Sequence, residues 1–276
     1  MPKGRFIYDQ RPAKLQELER LIKLNELYRP LMQELFQNHF SHHHKTTFDI
    51  IDIGAGTGHC TIDLKKIFPN AEVTYFDLSP TLMEYAKNIA EKEKSELTYI
   101  LGDFAKFEFA KKYDFIFSRF ALKHIYNPET AIKKMVDLLK PNGTILIMDK
   151  DVSANIWYPV FPLYKTKYMQ ALNEYNAKPE RGGNSFVGRR IKYMLAKYGI
   201  SNISTTLNAI DLTSEQNTEH QKLYTEVYFN LLPELVAEGL ISQHEAEHDL
   251  KRLTDFFNAG GNLSVIFDFI TKGSKI

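Results

Sequence analysis

The sequence predicts an α/β fold: a seven-stranded, mostly parallel sheet with helices on both faces, an N-terminal helical segment and a mid-chain helical lid. Three observations predict it. Short apolar runs alternate with helix-period stretches from residue 48 to residue 151, the pattern of βαβ units. The first run ends in the turn Gly54-Ala55-Gly56-Thr57-Gly58, where missing side chains let the backbone bend tightly and lie against a ligand. The 276 residues, 43% hydrophobic and 25% charged, suffice for one full core with an elaboration.

Residues 12–40 read as a helix from the spacing of Leu15, Leu18, Leu21, Ile22 and Leu27, interrupted at Pro30. His42-His43-His44-Lys45 is a polar joint, and three adjacent histidines cannot easily converge on one metal. Phe48–Ile53 is the first strand, and a helical stretch follows the glycine turn to Phe68. Ala71–Phe76 is a strand ending at Asp77, and Pro80–Lys92 a helix. Leu97–Leu101 ends at Gly102-Asp103, Tyr113–Phe117 is the fourth strand, and Pro128–Leu139 is the helix after it. The turn Pro141-Asn142-Gly143 leads into Thr144–Met148, which ends at Asp149. Beyond Asp151 the alternation stops. Trp157, Tyr158, Phe161, Tyr164 and Tyr168, broken by Pro159 and Pro162, suggest an aromatic lid or ordinary core. Gly188–Tyr198 reads as helix, Ile203–Leu212 as strand, Ser214–Phe257 as mostly helix, and Leu263–Ile270 as the last strand. The expected divisions are a helical segment at 1–47, a ligand-binding α/β core at 48–151, a lid at 152–200, and a C-terminal completion of the sheet at 201–276.

Composition excludes several classes. Lys+Arg is 35 and Asp+Glu is 34, a formal charge of +1, so no basic excess points to nucleic acid. Cys60 is the lone cysteine, so no intramolecular disulfide can form and a reducing compartment is expected. At the start of a helix its thiolate would be favoured, although a small buried filler is the simpler role. The N-terminus carries no apolar signal segment, and no run of about 18 apolar residues is present. The expectation is a cytoplasmic protein, monomer or homodimer, with no membrane and no nucleic-acid partner and no bound metal.

Spacing sharpens the reading of the glycine turn. Asp77 ends the second strand, 19 residues past Gly58, where a carboxylate can accept both ribose hydroxyls of a nucleoside. Asp103 ends the third, where a second carboxylate can receive an exocyclic amine. In such sheets the crevice beyond the strand C-termini is the ligand site. The constellation of Asp52-Ile53-Gly54-Ala55-Gly56-Thr57-Gly58, Asp77-Leu78-Ser79-Pro80, Gly102-Asp103-Phe104, Ser118–Ile125 and Leu138–Thr144 resembles the class I, Rossmann-like S-adenosylmethionine-dependent methyltransferases. Asn142 stands where that family has the first glycine of its turn, and Asn tolerates left-handed geometry. Gly182-Gly183-Asn184 with Gly188-Arg189-Arg190 and Ala196–Ile200, and also Leu235–Ile241, is similar to the small-molecule subset of the family.

The resemblance implies a cofactor, S-adenosylmethionine, with S-adenosylhomocysteine as product, and a small-molecule acceptor methylated on oxygen or nitrogen. It implies that Gly54, Ala55, Gly56 and Gly58 form the turn against the methionine part, with Asp52 supporting that turn or the ammonium. It implies Asp77 on the ribose, Leu78 and Met83 near the adenine, and Gly102, Asp103 and Phe104 on the adenine edge. Ser118 and Arg119 would line the sulfonium by main chain. Among candidates for the chemistry, His124 is a possible base or a structural histidine, and Tyr8 closes over the cofactor or packs an amphipathic tail. Asp149, Asp151, Trp157 and Arg189 are candidates for the acceptor, the arginine through its guanidinium fork. The fourth strand ends in Ser118-Arg119-Phe120-Ala121, not Asn-Pro-Pro-Tyr or Pro-Cys, which disfavours adenine-amine and cytosine-carbon methylation. It also lacks the terminal aspartate of the magnesium-dependent catechol type. A nicotinamide dehydrogenase expects G-x-G-x-x-G, and here Gly58 falls one place early, with His59 in the next position. A protein that binds the cofactor without transferring its methyl stays open.

Overall fold

Asp49–Ile53 forms the central strand β1, and its residues serve opposite faces in turn. Ile51 and Ile53 join one apolar layer with Ile116, Ile145 and Ile147, whereas Ile50 joins the other with Phe115, Phe117, Leu146 and Met148. A strand covered on both faces must be apolar on both, which is why β1 reads as a run and not as an alternation. In this computed structural model, residues 14–40, 48–160, 166–177 and 183–276 are described. The further strands are β2 (Glu72–Asp77), β3 (Thr98–Leu101), β4 (Tyr113–Arg119), β5 (Leu139–Lys150), β6 (Ile156–Tyr158), β7 (Ile200–Asp211) and β8 (Leu263–Lys275). They form one sheet in the order β3-β2-β1-β4-β5-β8, with β7 on the far edge of β8. β1 to β5 are parallel, while β8 runs antiparallel to both β5 and β7.

The sheet has eight strands where seven were expected. The addition is β6, which pairs with Leu263–Val265 of β8 beyond the end of β5. Three residues are too short for a sequence period, and the segment forms because β8 outruns β5 and offers an unpaired edge. A second difference lies in the helix α1 (Lys14–Phe40), which runs through Pro30 without a break. Pro30 is on the exposed side, so water can take the carbonyl that the missing N–H leaves unpaired. The expected left-handed turn at Asn142 is present, with φ of 62°.

α1 and α2 (His59–Ile67) cover one face of the sheet; α4 (Pro128–Leu138) and α6 (Ile191–Lys197) cover the other. α3 (Pro80–Lys92) packs Met83 and Ala86 on Tyr75. Local chemistry sets several starts. Ser79 caps α3 by accepting from Leu82 N at 3.1 Å, and Asn127 caps α4 by accepting from Thr130 N at 3.1 Å, each followed by a proline in the first turn. α5 (Lys167–Ala177), α7 (Thr218–Ala237) and α8 (Gln243–Asn258) build a separate apolar cluster around Tyr168, Leu235 and Phe256. Strand order reverses direction at β1 and β4. The crossovers leave to opposite sides there, so a crevice opens at the carboxyl ends of these two strands.

Candidate active site

The turn after β1 is built to approach the turn after β4. Gly54 N and Ala55 N both donate to Phe76 O, at 2.9 and 3.1 Å. Gly54, Gly56 and Gly58 all have positive φ, of 76°, 56° and 78°. A Cβ on Gly54 would stand 2.4 Å from Ala121 Cβ, and one on Gly58 would stand 2.6 Å from Ala86 Cβ. Gly56 differs, because a Cβ there would meet nothing within 4 Å. Two glycines are therefore needed for packing, and the middle one faces open space. That space is a cavity of about 280 Å³, lined at its floor by Gly54, Ala55 and Gly56.

The acids stand where the strands end. Asp77 accepts from Gly56 N at 2.8 Å and from Ser79 N at 2.9 Å, so its carboxylate is oriented by the backbone it supports. Asp103 accepts from Ala105 N at 3.0 Å. Both line the cavity, together with Leu78, Gly102 and Phe104. Carboxylates at neighbouring strand tips can accept from hydroxyls and amines, and each has sites for about four hydrogen bonds. Asp52 is buried, accepts from Thr61 Oγ1 at 2.6 Å, and reaches the cavity wall. Burial pushes its carboxyl up to about 7, against the pull of Thr61 and Arg119.

Arg119 ends β4 and spans the cavity toward α1. Its Nη2 donates to Asn25 Oδ1, while Nη1 is buried with no hydrogen-bond partner. Asn25 also donates to Thr57 Oγ1 at 2.7 Å, so one amide ties α1 to both turns. The neighbouring Phe120 has φ of 55°, a conformation that costs a bulky residue roughly 1–3 kcal/mol. It is buried and lines the cavity, with its ring 5.3 Å from that of Tyr28. Beyond it, Leu122–His124 makes a 3₁₀ turn that brings Lys123 and His124 into the wall.

The predicted residues separate into three groups. Asp52, Gly54, Ala55, Gly56, Asp77, Leu78, Gly102, Asp103, Phe104, Arg119 and His124 converge on the one cavity. Gly58, Met83 and Ser118 sit behind it. Met83 packs on Tyr75, and Ser118 is buried and donates to Ile53 O at 2.9 Å. The four acceptor candidates are not in the lining. Asp149 is wholly buried and accepts from Lys123 N and Lys150 N, at 3.1 and 2.8 Å. Asp151 is wholly buried and takes the guanidinium of Arg189, so each satisfies the other. Trp157 packs on Phe256, with ring centroids 5.1 Å apart, in the α5, α7, α8 cluster. Tyr8 and the three histidines lie outside the described residues. Cys60 is a buried filler at the cavity wall, its thiol pushed up to about 12 by burial.

Sequence reasoning missed Glu17, Arg20, Asn25, Lys123 and Leu231, all in the lining. One signal existed. Leu21, Asn25, Tyr28, Met32 and Phe36 share a helical stripe, and Asn25 is the polar residue on it. Among the described residues, no group of three or more His, Cys, Asp or Glu is arranged to hold a metal.

The chain matches a family model described as a methyltransferase domain over residues 44–228. The malonyl-[acyl-carrier protein] O-methyltransferase 2 of Ilyobacter polytropus is 35% identical over 101 residues, 36% of this chain and 38% of that protein. The mitochondrial 2-methoxy-6-polyprenyl-1,4-benzoquinol methylase of Caenorhabditis elegans is 23% identical over 129 residues, 45% of each. The chain thus spans less than half the length of these curated relatives. In structure, it resembles the plantazolicin methyltransferase BpumL in complex with SAH, with TM-score 0.56 at 16% identity over 98% of this chain and 93% of that one. It also resembles the Haemonchus contortus phosphoethanolamine N-methyltransferase 2 in complex with S-adenosyl-L-methionine, with TM-score 0.55 at 19% identity over 88% of this chain and 52% of that one. At these identities the likeness carries the fold.

Proposed function

This chain belongs to the methyltransferase domain family, a class I S-adenosylmethionine-dependent methyltransferase by fold and motif, and we propose that it transfers a methyl group to an oxygen or nitrogen atom of a small-molecule acceptor by in-line displacement. The observation that carries the reading is the convergence of a bare backbone turn, two strand-tip carboxylates and an unpartnered guanidinium N–H on one cavity.

The residues present fit S-adenosylmethionine. Gly56 opens onto space for a ligand, and Arg119 Nη1 lacks an acceptor that a carboxylate would supply. Gly54, Ala55 and Gly56 would hold the methionine part, with Asp52 toward its ammonium. Asp77 would take the ribose, Gly102, Asp103 and Phe104 the adenine edge, and Leu78 an adenine face. Gly58, Met83 and Ser118 would support these from behind. When bound, the cofactor supplies a methyl already activated by a positive sulfur. The protein's part is to hold the acceptor in line and keep water out. His124, in the wall, is the proposed base where the acceptor must shed a proton, and Tyr8 the proposed closing residue. Relatives named malonyl-[acyl-carrier protein] O-methyltransferases support oxygen as the accepting atom, on a free small molecule or a carried one. A cytoplasmic site of action, as monomer or homodimer, belongs to the same proposal. No described helix is long and apolar enough to cross a membrane.

The experiment is methyl-labelled S-adenosylmethionine with a panel of acceptors, with calorimetry alongside. Stoichiometric binding with label transfer is expected, and Asp77→Ala should weaken binding by about 1–3 kcal/mol. Stoichiometric binding with no transfer to any acceptor would favour a cofactor-binding protein without turnover. Unchanged affinity in Asp77→Ala would remove that residue from the ribose.

A further inference from the structure

Three cations surround one ring at the cavity. The Arg119 guanidinium, the Lys123 ammonium and the Lys150 ammonium lie 5.6, 5.1 and 4.8 Å from the centroid of Phe120. Two of them donate hydrogen bonds within the protein. Arg119 donates to Asn25 Oδ1, and Lys150 reaches Asp268 Oδ1 at 2.5 Å and Tyr28 OH at 3.2 Å. Lys123 Nζ makes no hydrogen bond or ion pair among the described residues, lies over the ring, and belongs to a residue that lines the cavity. Its backbone is held from both sides: N donates to Asp149 Oδ2 at 3.1 Å, and O accepts from Asn184 N at 2.7 Å. Two residues singled out in the sequence, Asp149 and Asn184, thus meet at this lysine. They fix its backbone, and neither makes a hydrogen bond or ion pair with its ammonium.

A half-buried ammonium whose nearest carboxylate, Asp149, is turned onto backbone N–H groups gains from an anion that completes it. We propose that Lys123 anchors a carboxylate of the methyl acceptor, which makes the acceptor an organic acid; this rests on the methyl-transfer reading of the cavity. A lysine ammonium is a point charge that meets a carboxylate or a phosphate alike, so inorganic phosphate is a control in the test. Arg119, linked through Asn25 to Thr57 of the glycine turn and with Nη1 unpaired, is left for the cofactor's own carboxylate. The charged and titratable groups facing Lys123 are Asp149 and Lys150 from β5, Arg20 from α1 and Asp268 from β8, with His124 beside it in the turn. Arg20 is itself clamped by Glu17 at 2.7 and 2.8 Å. Burial outweighs the pull of Asp149 and brings the amine down to about 8. An arriving carboxylate raises it again, so binding near that pH takes up a proton.

The test is calorimetric titration of malonate into the S-adenosylhomocysteine-loaded full chain at pH 8, with inorganic phosphate and malonamide as controls. Wild type should bind malonate, Lys123→Met should bind it roughly ten- to a hundredfold more weakly, and Lys123→Arg should stay close to wild type. Malonamide should not distinguish wild type from Lys123→Met. Titration in buffers of different ionisation enthalpy should show uptake of roughly half a proton in wild type and none in Lys123→Met, a readout that a merely structural lysine would not move. Equal malonate affinity in wild type and Lys123→Met overturns the proposal, as does a phosphate preference that depends on Lys123. It is also overturned if Lys123→Met weakens S-adenosylhomocysteine but spares methylthioadenosine, because the lysine would then serve the cofactor's carboxylate. Failure of S-adenosylhomocysteine to bind wild type would sink the methyl-transfer reading instead.

Discussion

Gly54 and Gly56 share a turn and a positive φ, yet a methyl group added at each meets different surroundings. At Gly54 it collides with Ala121 Cβ at 2.4 Å, where the turns of β1 and β4 touch. At Gly56 it enters empty cavity. Gly54→Ala should therefore cost about 1–3 kcal/mol from overpacking in addition to the left-handed strain of about 1–2 kcal/mol. Gly56→Ala should carry the strain alone, while placing a methyl where the ligand belongs. Urea unfolding should rank Gly54→Ala well below Gly56→Ala in stability, and calorimetry should show cofactor binding impaired in both. Equal stability in the two variants would contradict the contact with Ala121. At this scale the glycines and the acids Asp77 and Asp103 were legible, because each sits at the end of a strand that its own neighbours specify. Lys123 was not legible, since the surroundings of its ammonium depend on where Asp149, Asp268 and Arg20 come to rest.

α1 lies far from the glycine turn in the chain, and the fold makes it a wall of the same cavity. Arg29 binds Asp63 of α2 with two hydrogen bonds, at 2.7 and 3.0 Å, and Tyr28 donates to Asp268 Oδ2 at 2.8 Å. Asn25 carries the functional side of this docking. Asn25→Leu keeps the size and the helix but leaves Arg119 Nη2 without its acceptor. It should cost about 1–3 kcal/mol of stability and disturb the cationic wall. Chemical denaturation reads the first effect, and titration with S-adenosylhomocysteine reads the second. Wild-type values in both would separate α1 from the site. The stripe of α1 showed that a face would be buried but not which strand tips it would reach. The unbroken passage through Pro30 likewise follows from the exposure of that side, which no local spacing reveals.

Across the whole molecule, β8 decides whether the sheet can close. It fills the edge of β5 from Thr144 to Lys150, receives β6, and carries β7 on its other side. It also lies wholly beyond the segment 44–228 that matches the methyltransferase domain. A fragment of residues 44–228 therefore leaves β7 unpaired, bares one edge of β5 and removes α1. We expect it to lack a cooperative thermal transition in far-ultraviolet circular dichroism, whereas the full chain unfolds cooperatively. A sharp transition in the fragment would show that the sheet stands without its last strand.

The sequence alone determined the α/β alternation, the glycine turn, the order of the strand-tip acids and the resemblance to methyltransferases. All of these rest on spacing between chain neighbours, and backbone geometry turns such spacing directly into structure. Only the tertiary structure decided which charges would be matched. It closed Asp151 onto Arg189, joined Tyr28 to Asp268 across 240 positions, and left Lys123 facing the cavity. Ion pairing and burial are set by groups that folding brings together from remote parts of the chain, so no local pattern announces which of them will be left over to bind something else.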